Sequence, residues 1–201
     1  MILDTNVQAF FQGVVSEAVE KQSIAASEET VHYVVNLLVS FTDTRTLYER
    51  TPDGLMITPL ASLYGEAVAA TNPEERTQRL KRLGDLALFV AGVFTDSLNR
   101  KPVDVDYYIA MGGNAYDYLS DTTRTVWRWQ ALSGVFGELA ENFTGFVDVL
   151  GEVCEQAHFR NDRDILRLYE LWLRTGSARA ARQLRRVGIE PASGSVSRSQ
   201  H

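Results

Sequence analysis

Cysteine, histidine and proline are scarce in this chain of 201 residues, at one, three and five of each. The lone Cys154 excludes an internal disulfide and makes a reducing cytoplasm the default setting. There is no Cys-x-x-Cys pair, no His-Glu-x-x-His zinc helix and no Gly-x-Ser-x-Gly nucleophile elbow. Long apolar runs are missing too. The longest, 86–94, falls far short of the roughly 20 residues that span a bilayer, and Asp85 and Asp96 flank it. Near the N-terminus, Asp4 and Asn6 stand where a secretory signal has basic residues, so no such signal is expected. No segment alternates apolar and polar residues long enough to require a sheet, and no repeat of fixed period occurs.

Helical periodicity is what the sequence does contain. An apolar share of 45% is ordinary for a globular chain of this length. Val7, Phe10, Phe11, Val14, Val15, Ala18 and Val19 recur at helical spacing and predict a helix over about 4–22. Ser27 is the expected N-cap of a second helix, with Glu28 and Glu29 at its positive end and Val31, Val34, Val35, Leu38 and Phe41 turned inward. The stretch 42–58 is irregular, with a short helix expected over 45–49 and turn chemistry at Thr51-Pro-Asp-Gly54. Pro59 opens a helix to Ala70.

Asn72, with Pro73 behind it, caps the most apolar helix, expected to reach Leu98 before 99–102 stops it. Gly84, Ala87, Ala91 and Thr95 form a small-residue stripe along it, where a second helix can lie close. Asp104 opens the next helix, to Leu119. A further pattern runs from Asp121 or Thr122 to His158, where Gly134, Gly137, Gly145 and Gly151 predict a bend or break. These segments define an all-α fold: one domain over 1–191, a bundle of about seven to nine helices around a buried central helix. Its end, 162–188, reads as an Arg-rich helical hairpin, and 192–201 as a disordered tail.

Charge is uneven. Residues 1–159 carry eleven basic and twenty-two acidic side chains, whereas 160–201 carry nine arginines against four acids. An acidic body argues against nucleic-acid binding, which needs a positive face. The segment 178–189 resembles the first helix and turn of a helix-turn-helix, but Glu190-Pro-Ala-Ser-Gly-Ser195 is a poor recognition helix. Arg179, Arg182, Arg185 and Arg186 are instead candidates for docking a protein partner or a second subunit. Trp127 and Trp129, at the start of a long predicted helix, are read as core anchors in preference to base-stacking residues.

Three constellations bear on chemistry. Glu29-Thr-Val-His32 and Glu155-Gln-Ala-His158 each put a carboxylate and an imidazole on one helix face, with Glu17, Glu20 and Glu66 as further donors. Such paired motifs resemble those that hold iron in ferritin-like di-iron carboxylate proteins, although their order and spacing differ here. Helix-end electrostatics explains Glu29 and His158 equally well, so no cofactor is expected outside this di-iron or other transition-metal alternative. Tyr108, Gly112, Gly113, Asn114 and Tyr116 form the second, a candidate apolar-ligand site in which the glycines admit a close approach and the phenols and amide give hydrogen bonds. Asp85 is the third. It interrupts an apolar helix and is expected to make an intrahelical ion pair with Lys81 or Arg82, four and three residues earlier. With no strong catalytic pattern, the leading expectation is a non-enzymatic interaction or regulatory module.

Overall fold

Side-chain capping sets the beginning of each of three helices in the computed structural model, which describes residues 2–42, 48–51, 54–95 and 104–156 and the separate positions 172, 181, 182, 184, 185 and 189. Among the described residues there are seven helices: α1 (Ile2–Lys21), α2 (Glu28–Thr42), α3 (Leu60–Ala69), α4 (Pro73–Val93), α5 (Val105–Thr123), α6 (Gln130–Glu141) and α7 (Phe143–Gln156). Ser27 Oγ accepts from Thr30 N–H at 3.3 Å at the head of α2. Asn72 Oδ1 accepts from Glu74 N–H at 2.8 Å, and Asp104 Oδ1 accepts from Tyr107 N–H at 3.3 Å. Each satisfies a donor that the first turn leaves unpaired.

The architecture is an all-α bundle with one small addition. Strands β1 (Tyr48–Thr51) and β2 (Gly54–Ile57) pair antiparallel between α2 and α3, with Thr51 opposite Gly54. The turn chemistry at 51–54 is therefore the end of a hairpin; Tyr48 and Glu49 are strand where a short helix over 45–49 was expected, and 45–47 lie outside the described residues. Two four-residue strands are too short to announce themselves by alternation.

The second half of α4 is dry: Leu83, Leu86, Ala87, Leu88 and Ala91 are each 1% exposed or less. This helix packs against α2, α3, α5 and α7, and its apolar girdle supplies a side chain to each. The small residues let the neighbours in. A methyl group added to Gly84 would stand 2.7 Å from the Tyr116 ring of α5. One on Gly112 would meet Ala87 and the Phe143 ring, and one on Gly92 would overlap Leu150 Cβ and crowd the Val147 carbonyl of α7. Glycine is required at these crossings by distance alone.

Several boundaries differ from expectation. Helix α4 ends at Val93; Phe94 is a bend, Thr95 is helical again with its hydroxyl turned back to the Ala91 carbonyl, and 96–98 of the expected helix lie outside the described residues. Helix α5 runs on through Thr123 with no stop after Leu119, and 124–129 then form the turn. The long pattern to His158 is broken at Asn142, not at a glycine: Asn142 N–H still bonds the Glu138 carbonyl, and α7 starts at the next residue. Pro59 stands just before α3 instead of inside it. Phe10, expected inside, is 46% exposed. Ala181, Arg182, Leu184 and Arg185 are helical, with the arginines exposed and the apolar pair buried. Arg179, Arg186 and the tail 192–201 lie outside the described residues, as does most of the 162–188 hairpin.

Candidate functional site

Asp85 is the centre of a polar knot inside the bundle. Its Oδ1 accepts from the Tyr33 hydroxyl of α2 at 2.6 Å and from the Tyr116 hydroxyl of α5 at 2.8 Å. Its Oδ2 takes the Lys81 ammonium at 2.6 Å, one of the two intrahelical pairings expected. Lys81 Nζ also lies 5.1 Å from the centroid of the Tyr33 ring. Phe136 of α6 closes the knot, stacked on Tyr116 at 5.8 Å and edge-on to Tyr33 at 6.0 Å.

Burial pushes both phenols well above their ordinary pKa, and the Asp85 charge adds to the effect. They therefore stay protonated and serve as donors. Both carboxylate oxygens are engaged and neither phenol is a base, so this arrangement holds helices together and offers no free nucleophile or general base.

The knot redefines the tyrosine-rich segment. Tyr116 is fully buried and spends its hydroxyl on Asp85, while Gly112 is filled by Phe143 and Ala87. Gly112 and Gly113 lie mid-helix, not in a turn. Gly113 and Asn114 face outward into an open groove of about 500 Å³ shared with Asp117, Glu141 and Asn142, a groove that neither Tyr108 nor Tyr116 lines. Tyr108 is half-buried beside Tyr107, and burial, then that neighbour, raises its phenol. The five candidate ligand residues thus do not converge.

The Glu-x-x-His residues are also apart from the core. Glu29 and His32 are exposed on α2, Glu155 is exposed near the end of α7, and His158 lies outside the described residues. Glu17 and Glu20 are exposed, and Glu66 pairs with Arg79 at 2.7 Å. Among the described residues no three His, Cys, Asp or Glu side chains cluster in a way that could hold a metal ion.

Two other ties join helices, one part-buried and one at the surface. Glu138 of α6 reaches the head of α2, where it accepts from Ser27 N–H at 2.7 Å and Ser27 Oγ at 3.0 Å. Burial alone would raise the Glu138 carboxyl, but the bonds from Ser27 and Thr30 outweigh it and lower it. Glu152 of α7 accepts from Lys21 at 2.6 Å and Gln22 at 3.1 Å, which lowers its carboxyl and raises the Lys21 ammonium.

The surface carries a feature that periodicity did not reveal. Helix α3 turns Leu60, Leu63 and Ala67 toward the core, which leaves Tyr64 53% and Val68 61% exposed on its outer face. Across α4, Tyr118 of α5 is 46% exposed. Between them runs a groove of about 490 Å³ floored by Leu80 and Leu83, with Ala67 and Ala115 on its sides. It meets a second hollow of about 610 Å³ at Arg76 and Tyr118, bounded by Val126, Trp127 and Trp129.

Trp127, expected as a core anchor, is 87% exposed because 124–129 is a turn and not the first turn of a helix. Arg128 fixes that turn to α4 through Glu74 at 2.7 Å, while Arg76 bonds the Ala67 and Ala70 carbonyls and holds the end of α3. The Trp129 ring N–H is buried with no acceptor among the described residues.

Comparison with known proteins gives no match to any family, any curated protein or any solved structure. No helix among the described residues is long and apolar enough to cross a membrane.

Proposed function

We propose that this protein is a non-enzymatic interaction module that receives a protein partner on the strip formed by α3, α4, α5 and the following turn. The observation that carries the reading is Trp127, a large apolar ring 87% in solvent, in line with exposed Tyr118, Val68 and Tyr64 along two joined hollows. Scattered apolar residues on a surface need no explanation, but a contiguous patch does. Trp, Tyr and Arg are also the residues that dominate binding energy at protein interfaces. The interior supports the same reading from the other side, since the part-buried Asp85 carboxylate is engaged by Tyr33, Tyr116 and Lys81 in holding helices.

The test is photo-crosslinking in cells, with a photoreactive residue at Tyr64 or Tyr118 and a control at exposed Gln12 on α1. A discrete adduct from the strip positions, absent from the control and lost with Trp127→Ala, is the expected result. Equal labelling from all positions, or none from the strip, would overturn the reading.

A further inference from the structure

We infer that the partner segment received by this strip carries an aspartate or glutamate between two apolar side chains, its carboxylate seated on Arg76; the inference rests on the interaction reading above and gives the partner's chemistry. Among the described residues the charged side chains lining the two hollows are Glu74, Arg76 and Arg128. Arg128 is paired with Glu74 at 2.7 Å. That leaves Arg76, which lines both hollows and is half-buried. Its guanidinium meets two carbonyls and no carboxylate among the described residues. Nε donates to the Ala67 carbonyl at 3.2 Å and Nη2 to the Ala70 carbonyl at 3.0 Å, so the side edge of the group is spent on the end of α3. The other edge, Nη1 with the second Nη2 hydrogen, has no acceptor among the described residues. It is the fork that a carboxylate meets with two parallel bonds. The carbonyl bonds already hold the plane in place, so little side-chain freedom remains to be lost on binding.

Charge selects the sign of the occupant. On a body whose first 159 residues hold twice as many acids as bases, the lining carries two arginines and one glutamate. A basic segment would set its cation against Arg76. A wholly apolar one would cover the guanidinium and strip its water with no bond in return. Each hollow also has apolar walls, Val68, Leu80 and Leu83 in one and Val126 and Trp127 in the other. An acid within a chain, with an apolar neighbour on each side, uses both hollows, whereas a chain-terminal carboxylate on Arg76 leaves one of them empty.

The experiment selects random peptides displayed on phage against the full chain and measures the enriched peptides by calorimetry. The expected result is a shared aspartate or glutamate flanked by apolar residues. Replacing that acid by its amide should weaken binding by about tenfold or more, as the loss of a charge-assisted hydrogen bond does. Arg76→Gln should weaken the acidic peptide by a similar factor and leave the amide peptide unchanged, the signature of a direct pair. Trp127→Ala should weaken both peptides. The exchange on the peptide leaves the protein intact, so it decides the matter even where Arg76→Gln loosens the end of α3. Peptides that need Trp127 yet tolerate the amide overturn the inference and leave the interaction reading standing. An acid that matters equally with a folded Arg76→Gln protein is seated elsewhere and also overturns the inference. So does a selection that enriches nothing, or only peptides indifferent to Trp127→Ala; cross-linking at Tyr118 then decides alone whether the interaction reading survives.

Discussion

Tyr116 donates its hydroxyl to Asp85 Oδ1 at 2.8 Å from a position with no solvent exposure at all, so a part-buried charge on α4 is met by a neutral donor from across the α4–α5 interface. Tyr33 meets the same oxygen from α2, and the three helices are tied through one atom. A carboxylate drawn partly out of water is stabilised by such complete satisfaction.

The first prediction follows from that asymmetry. Tyr116→Phe removes one bond to a charged acceptor and should cost about 1.5–3 kcal/mol. Asp85→Ala takes the shared acceptor from both the Tyr33 and Tyr116 hydroxyls and frees Lys81, and should cost about 3 kcal/mol or more. Urea unfolding of both variants and of Tyr33→Phe checks the order. An Asp85→Ala protein as stable as the wild type would mean that the knot carries no net stability.

Glycine substitutions should split by sign. Gly92→Ala drives a methyl group into Leu150 Cβ and the Val147 carbonyl, and Gly112→Ala into Phe143 and Ala87. Overpacking of this kind costs about 1–3 kcal/mol, more than the roughly 1 kcal/mol of helix propensity that alanine returns. Gly13, Gly65 and Gly134 have nothing within 4 Å of an added methyl group. Alanine there should stabilise by about 0.4–1 kcal/mol. Thermal melts of the five single variants decide it, and a Gly92→Ala protein that melts higher than the wild type would contradict the α4–α7 contact.

Glu138 predicts a pH dependence with a definite direction. Its carboxyl is lowered from 4.5 in the folded protein despite partial burial, because the charged form accepts from Ser27 and Thr30 at the head of α2. A depressed carboxyl contributes stability that is present above its unfolded value and is lost as pH falls through the folded value. Glu138→Gln should therefore be less stable than the wild type at neutral pH by about 1 kcal/mol, the worth of an anion at a helix N-terminus. The difference should shrink once the pH drops below 4.5. Paired denaturant titrations at neutral and acid pH measure this, and a difference that grows on acidification would exclude the assignment.

These elements were unequally legible in the sequence. That Asp85 pairs within its own helix was readable because spacings of three and four are local facts, but the choice of Lys81 over Arg82 was not. Its tyrosine partners are 31 and 52 residues away, and nothing in a periodic pattern marks which phenol reaches a distant acid. The inward faces of α2 and α4 followed from periodicity, as did the caps at Ser27, Asn72 and Asp104. The break at Asn142 did not, because the surrounding glycines are tolerated inside α6 and α7 by close packing or open space. Trp127 was misplaced for a related reason: an aromatic beside a helical pattern reads as core until the turn at 124–129 shows that it stands outside. The strip is assembled from α3, α4, α5 and that turn, so it exists only after packing.

The contrast between Trp127 and Phe136 turns that misreading into a measurement. Trp127→Ala removes a ring that contributes little to folding, and stability should move by no more than about 0.5 kcal/mol even if association is lost. Phe136→Ala removes a fully buried ring between Tyr33 and Tyr116 and should cost about 3–5 kcal/mol. It should also change the knot it covers. Burial is the largest cause of the raised phenols at Tyr33 and Tyr116, so opening a cavity beside them should let both fall toward the ordinary tyrosine value. Ultraviolet titration of phenolate in Phe136→Ala, against Tyr116→Phe as the reference, reads that shift directly; tyrosines that titrate as in the wild type would show that Phe136 does not shield the two phenols.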